Sequence, residues 1–378
     1  MKKKILLILM TIYGMLNCLE REKELSLPAE IMGAGGTGIV AYDKFGMVFM
    51  NPASFGVTSK SYFSFVRNGI RFNYDLYEYY TIYEKMRGNT DIYAILPEIA
   101  PILSKLNVCA GVNGPLAFGY MTEGIGFLIY NDFNTSLSSH FSGILPYLDA
   151  SIYSDLVFLS GFGKKFDIPF YFGKNVTTYA GINVKYINRL KYQNPHLSLL
   201  EAFDLFASGF KEGFLWGQAI GSDLGILFKG EYICVGFVVK NWFNTYFSWS
   251  AYDTNFQYIS NRTIEPTYYP ASFNLGLSYR LKNFFLKYGI KDWTFYFDLS
   301  DAFYFEENYL LKLKFGTEVT FLSILKARAG LYKGYPTLGF GIEIPFLHIN
   351  FAYYTEELSK LPGYKPQQNF LLEFHALL

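Results

Sequence analysis

Apolar and polar side chains alternate with a period of two along residues 60–378, broken by turn signals, the pattern of strands with one greasy face. Leu311, Leu313, Phe315, Thr317, Val319 and Phe321 share one face of a segment, and Lys312, Lys314, Gly316, Glu318 and Thr320 share the other. The alternation recurs over Phe273–Tyr279, Leu347–Tyr353 and Phe370–Leu378. It predicts strands at 58–80, 107–121, 124–133, 151–163, 175–190, 213–229, 231–246, 270–281, 283–297, 309–322, 325–332, 337–344, 346–355 and 369–378. The spacers are short at Thr122-Glu123, Gly230 and Lys282, and long at 81–106, 134–150, 191–212, 247–269 and 356–368. A soluble sandwich would turn the apolar face to a core, whereas a membrane barrel turns it to lipid. Short turns on one side and long loops on the other are the barrel's mark. The fold expected is therefore all-β: a transmembrane antiparallel β-barrel of about 14 strands with both chain ends on one side. Asn68-Gly69 is a hairpin signal, but splitting 58–80 there would break the alternation, so the segment is read as one strand.

Composition supports lipid-facing strands. Charged residues are 17% of the 378, against about 25% in typical soluble domains, and aromatics reach 20% with 33 Tyr and 38 Phe. Beyond the N-terminus no apolar run approaches the roughly 20 residues of a spanning helix. A net charge of +1 suggests neither a nucleic acid nor an acidic partner. MKKK followed by ILLILMTIYGML reads as a signal peptide over 1–19, hence an exported chain, and Met15–Cys18 faintly resembles a lipobox. Cys109 and Cys234 form no disulfide framework and have no metal-ligand spacing, so neither a metal nor a cofactor is expected. His140, His196, His348 and His375 are scattered outside any catalytic arrangement, and no enzyme is expected. His348 and His375 are read as lumen-facing, and Asp298 and Asp301 as parts of a solvated loop.

Two outside spacers carry helical spacing. Ile92, Ile95, Ile99, Ile102 and Leu106 do so within 90–106, and Leu199, Phe203, Phe206 and Phe210 within 195–210. An outside loop on a barrel has no core to join, so these helices are expected to line a groove for an apolar ligand or to rest at the lipid boundary. The inward face carries Lys185, Arg280, Lys287, Lys291, Lys312, Lys314, Lys326 and Arg328 against Asp223, Glu318, Glu343 and Glu373. This modest positive excess either focuses an anionic headgroup, with Arg280, Lys312 and Arg328 as its candidate contacts, or simply hydrates the lumen.

Gly33, Gly35, Gly36 and Gly38 sit in a literal G-x-G-x-x-G. A dinucleotide fingerprint needs a buried strand before it, a helix after it and an acid roughly 20 residues on. Here the preceding REKELSLPAEIM is charged and holds a proline, and no Asp or Glu lies between Lys44 and Asp75. The motif continues into Met50-Asn51-Pro52-Ala53 just before the first strand. With the signal peptide and the fourteen-strand pattern, the chain resembles the FadL type of outer-membrane long-chain fatty acid and hydrocarbon transport proteins. That resemblance implies an N-terminal segment, 20–57 here, folded into the lumen of a barrel over 58–378 as a plug around Asn51, Pro52 and Ala53. It further implies that extended outside loops form a first hydrophobic groove, which maps onto the 195–210 helix. The implied function is passive uptake, across the cell outer membrane, of hydrophobic molecules such as long-chain fatty acids. Outer-membrane lipid and a fatty acid-like ligand would be the partners. The alternative reading is a surface-exposed adhesin, or a barrel scaffold of a secretion complex without transport.

Overall fold

The computed structural model describes residues 22, 24–41, 45–58, 61–87, 97–99, 101–102, 106–142, 145–166, 176–198, 213–260, 264–304 and 308–378. Among these residues sixteen strands form one antiparallel sheet. They are β1 Tyr62–Asn73, β2 Asn107–Thr122, β3 Ile125–Ser142, β4 Leu145–Phe166, β5 Thr177–Ser198, β6 Phe214–Lys229, β7 Ile233–Lys240 and β8 Thr245–Tyr252. The remainder are β9 Thr267–Tyr269, β10 Ser272–Phe285, β11 Ile290–Leu299, β12 Leu313–Phe321, β13 Leu325–Tyr332, β14 Tyr335–Ile344, β15 Leu347–Glu357 and β16 Pro366–Leu377. Neighbours in sequence pair around the ring and β16 returns to β1, so the sheet closes into a 14-strand barrel.

Two wall positions are broken into pieces, which reconciles the two counts. Lys229 to Leu224 of β6 pair with β7, and Ala219 to Phe214 of the same strand pair with β8. The break falls at Asn241–Asn244, where Asn241 (φ 49) and Asn244 (φ 60) adopt the left-handed conformation that Asn tolerates better than most residues. Across the gap, β9 and β10 are separated by Pro270, which has no N–H for the ladder. The Ala271 N–H donates to the Asn244 side chain instead, at 2.7 Å.

Burial is inverted relative to a soluble protein. Ile220 is 59%, Leu338 51% and Phe340 60% exposed on the outer face, while Arg189, Asp298, Arg328 and Asn350 are buried inside. Only a lipid-facing wall makes such an outer surface stable. Among the described residues no helix is long and apolar enough to cross a membrane.

Several expected boundaries move. The predicted 58–80 strand ends at Asn73, and its remainder is the helix Asp75–Arg87. Asn68-Gly69 makes no turn because β16 pairs through it, Asn68 opposite Phe374 and Gly69 opposite Glu373. Strands β3, β4 and β5 run for 18, 22 and 22 residues and take in much of the predicted loops 134–150 and 191–212. A tilted membrane strand needs about 9–11 residues, so their surplus stands clear of the bilayer. There it builds a core from Leu137, Leu148, Ala150, Tyr192 and Leu197, joined by Val108 of β2, into which Ile82 and Ile99 pack fully buried. The expectation that an outside loop has no core to join is thereby overturned for Ile99, Ile102 and Leu106, while Ile92 and Ile95 lie outside the described residues. Of the 195–210 segment, residues 195–198 end β5, and Leu199, Phe203, Phe206 and Phe210 lie outside the described residues. Strand β8 and β9 occupy parts of the predicted 247–269 loop. The tight turn expected at Lys282 is displaced to a 3-10 helix at Leu286–Tyr288, leaving Lys287 and Lys291 exposed there rather than facing the lumen.

Candidate functional site: the filled lumen

The described residues of the N-terminal segment, 22, 24–41 and 45–57, lie inside the ring and meet inward-facing wall residues. The helix Ala29–Gly33 begins behind Pro28 and packs Ala29 and Met32 against Tyr332, Ala352, Tyr354 and Leu371. The Ala29 N–H donates to Glu373 Oε2 at 3.1 Å, and Arg67 grips Glu373 Oε1 through Nε at 2.9 Å and Nη2 at 2.6 Å. The chain then turns through Gly35 (φ 72) and Gly36 (φ 69), a conformation side chains disfavour. Thr337 fastens this turn, accepting from the Gly35 N–H at 3.0 Å and donating to the Gly33 carbonyl at 3.1 Å. Next, Asp298 Oδ2 accepts the N–H groups of Gly38 at 2.7 Å and Ile39 at 3.1 Å. Asp298 is fully buried, so its expected place in a solvated loop is corrected: it lies inside the wall at the end of β11.

Asn51 organises the next turn with both ends of its amide. Its Nδ2 donates to the Ile39 carbonyl and its Oδ1 accepts the Ala53 N–H, each at 2.9 Å. The turn presses directly on the wall. A Cβ placed on Gly181 would lie 2.2 Å from the Pro52 carbonyl oxygen, and one on Gly225 2.0 Å from Asn51 Oδ1. The structure thus brings Gly33, Gly35, Gly36, Gly38, Asn51, Pro52 and Ala53 together in one buried body. Ile31, Ile39, Met47, Met50 and Ala53 of that body pack with Leu227, Cys234 and Val238 of the wall, while Val48 and Phe55 pack with Met121, Leu128 and Leu159.

Sequence reasoning found the glycines of the segment but missed those of the wall. Gly181, Gly225, Gly236, Gly276, Gly316, Gly330 and Gly339 all meet the segment closely. Their signal was available: they fall on the polar, inward phase of the strand alternation.

Between the segment and the surrounding wall lies a cavity of about 300 Å³. The segment lines it with Leu25, Leu27, Met32, Ile39 and Met50, and the wall supplies Lys240, Lys312, Lys314 and Lys333. Lys314 and Lys333 place their ammonium groups 5.4 and 5.8 Å from the centre of the Tyr332 ring. Lys312 donates to the Asp301 carbonyl at 3.1 Å and to that of Tyr304, and lies 4.7 Å from the Tyr309 ring centre. Of the three basic candidates, then, Lys312 borders the cavity. Arg328 is taken up by Glu318 Oε2 at 2.6 Å, Glu343 Oε1 at 2.5 Å and Asn350 Oδ1 at 2.8 Å. Arg280 is not part of the cavity lining, its N–H bonding the Tyr232 carbonyl by the β6–β7 turn. Lys185 is likewise held by Asp223, at 2.8 Å. The positive lumen inferred from counting is mostly paired charge, and the cavity borders acids as well, Glu22, Glu24, Asp301 and Glu356, beside its lysines.

These features define the protein as a closed transmembrane β-barrel against whose inner wall the described residues of 22–57 pack. No family model matches the chain, and no curated protein matches it. Among solved structures it is similar to the Pseudomonas putida toluene transporter TodX, with 12% identity, 95% of this chain and 98% of that one covered, and a TM-score of 0.47. It is also similar to a Pseudomonas aeruginosa FadL homologue (11% identity, 95% and 99% covered, TM-score 0.45) and to the CymD monoaromatic hydrocarbon channel (11%, 93% and 97%, 0.44).

Proposed function

We propose that the protein is an outer-membrane channel for the passive uptake of hydrophobic molecules such as long-chain fatty acids, with residues 29–57 as its plug. The observation that carries this reading is the filled lumen. Apolar clusters and wall glycines bring the segment tightly against the wall and leave a cavity lined by apolar side chains of the segment, by Lys240, Lys312, Lys314 and Lys333, and by Glu22, Glu24, Asp301 and Glu356. An acyl chain would gain roughly 0.8 kcal/mol for each methylene it buries in such a cavity, and the lysines would receive a carboxylate. Ligand would dock first on the outside loops, including the 195–210 segment, then enter the cavity and leave once the plug shifts. The role is that of a channel, without a chemical step.

The test is electrical. In planar bilayers the full-length protein conducts little, and deletion of residues 30–56 leaves a folded, heat-modifiable barrel with a several-fold higher conductance. An unchanged conductance after the deletion refutes the plug. A full-length protein that conducts like an open pore and binds no labelled long-chain fatty acid refutes the channel reading in favour of an adhesin or scaffold.

A further inference from the structure

One buried cluster in the lumen lies apart from the lysines considered so far. Arg189 and Lys191, both inward residues of β5, converge on Glu22. Arg189 Nη1 donates to Glu22 Oε2 and Lys191 Nζ to Oε1, each at 2.8 Å, and the three side chains are 1%, 6% and 1% exposed. On its other side Arg189 holds Asp155 through Nε at 2.7 Å and Nη2 at 2.8 Å, with Nη2 also 2.7 Å from the Tyr269 hydroxyl. The wall itself contributes two cations and one carboxylate to this contact set. The balancing carboxylate comes from the N-terminal segment, and without it a buried cation is left in excess, an arrangement that is strongly unfavourable. The wall is built here to receive an anion.

Its surroundings are apolar and aromatic. The Arg189 guanidinium carbon lies 5.2 Å from the ring centres of Tyr153 and Phe247, and Lys191 Nζ lies 5.6 Å from that of Trp249. Three residues beyond Glu22, Leu25 packs on the cluster of Val157, Ile187, Ala219, Phe247 and Tyr269. The segment therefore presents a carboxylate to the cations and an aliphatic group to the adjoining greasy patch. That is the two-part chemistry of an amphiphilic carboxylate. The cavity borders Glu22, Glu24 and Leu25, so a ligand lying in it meets this contact.

We propose that Glu22 is a tethered competitor: its carboxylate occupies a wall site for the headgroup of an anionic amphiphile, and such a ligand displaces residues 22–28 when it binds. The inference rests on the reading of the protein as a hydrophobic-molecule channel and adds a specific gate to it. A tethered group competes at an effective concentration on the order of millimolar. It holds the site against small anions and gives way to a ligand whose tail adds apolar burial that Leu25 alone cannot match.

The experiment compares oleate with oleyl alcohol, which has the same chain and no charge, by titration calorimetry on wild-type protein and Glu22→Gln in detergent. Glu22→Gln tightens oleate binding at least about tenfold, the scale of one charge-assisted contact, and changes oleyl alcohol less than about twofold. In wild-type protein, which needs no variant to fold, saturating oleate accelerates amide hydrogen exchange over residues 24–27, whereas oleyl alcohol does not. Equal responses to both ligands, or an oleate affinity and exchange pattern indifferent to Glu22, overturn the competitor while leaving the channel standing. Failure of either ligand to bind either protein overturns the channel reading, and the competitor with it.

Discussion

Residues 29–57 and residues 22–28 belong to one segment inside one barrel, yet they are held by different forces. The longer stretch is held chiefly by shape, and hydrogen bonds to Glu373, Thr337 and Asp298 fasten it. Its turns sit on wall glycines where a single added carbon would fall 2.0–2.2 Å from a segment oxygen, and its apolar side chains fill three clusters shared with the wall. The shorter stretch is anchored by charge and hydrogen bonds, through Glu22 on Arg189 and Lys191 and through the Ser26 N–H on Asp132 at 2.8 Å, with Leu25 and Leu27 only partly buried beside them. Shape-held contacts cannot be exchanged for anything else without repacking, because interiors are close-packed. Charge-held contacts can be exchanged for another group of the same charge. The difference teaches where the proposed displacement would begin: at the charged end.

The largest effect that would break this comparison is expected at the wall glycines. Replacing Gly181 and Gly225 together by Val puts carbon onto the Pro52 and Asn51 oxygens, at a cost of about 3 kcal/mol or more by overpacking. The segment is then expelled, read as raised conductance and rapid amide exchange over residues 45–57 in a barrel that still migrates as folded. A double variant with a wild-type exchange pattern would show that shape does not hold the longer stretch.

Asp298→Ala comes next. It removes the shared acceptor of the Gly38 and Ile39 N–H groups, which are buried. Each orphaned donor costs about 1–3 kcal/mol, so exchange at these two amides accelerates by about tenfold or more while residues 22–28 keep their protection. Acceleration spread evenly over both stretches would erase the distinction between them.

A smaller effect is expected from pH at an exchangeable contact outside the lumen. Glu357, at the loop end of β15, accepts the Tyr335 hydroxyl at 2.7 Å and the N–H groups of Lys365 at 2.7 Å and Gly363 at 2.8 Å. Burial pushes its carboxyl up, but the hydrogen bonds from Tyr335, Ser359 and Lys365 outweigh burial and hold it down at about 2, against the usual 4.5. A depressed carboxylate stabilises the folded loop above the unfolded value, and that contribution is lost as pH falls through the folded one. Protection of the Gly363 and Lys365 amides is therefore steady above pH 4.5 and fades between 4.5 and 2. Fading that starts near neutrality would assign the loop's order to another group.

The smallest effect is expected at Gly69, an inward glycine away from the segment. A Cβ there finds its nearest neighbour at an ordinary 3.6 Å. Gly69→Ala shifts stability by less than about 0.5 kcal/mol and leaves conductance unchanged. A change as large as that at Gly181 would mean that glycine in the wall matters for the strands and not for the segment.

Much of the wall was legible along the chain because a strand's two faces alternate regardless of what they meet. The run Leu325–Tyr332 is a strand in sequence and in space. The boundary after Asn73 was not legible, because Asp75–Arg87 holds polar and aromatic residues with no clean periodicity, and its Ile82 is buried only by partners far along the chain. The basic candidates were placed on the correct inward phase but not ranked. Arg328 and Lys312 look equivalent in the alternation, and only the acids brought beside Arg328 by β12 and β14 separate them.

The sequence by itself determined the alternating strands, their number around the ring, the apolar face and the glycine-rich Asn51-Pro52-Ala53 segment, since all of these follow from local periodicity and backbone freedom. The tertiary structure alone decided which glycines of the wall receive that segment, which lysines face the cavity, and that Glu22 closes on Arg189 and Lys191 across 167 and 169 residues of sequence. Such contacts depend on shape and charge converging from opposite sides of a closed ring. No local pattern records that convergence.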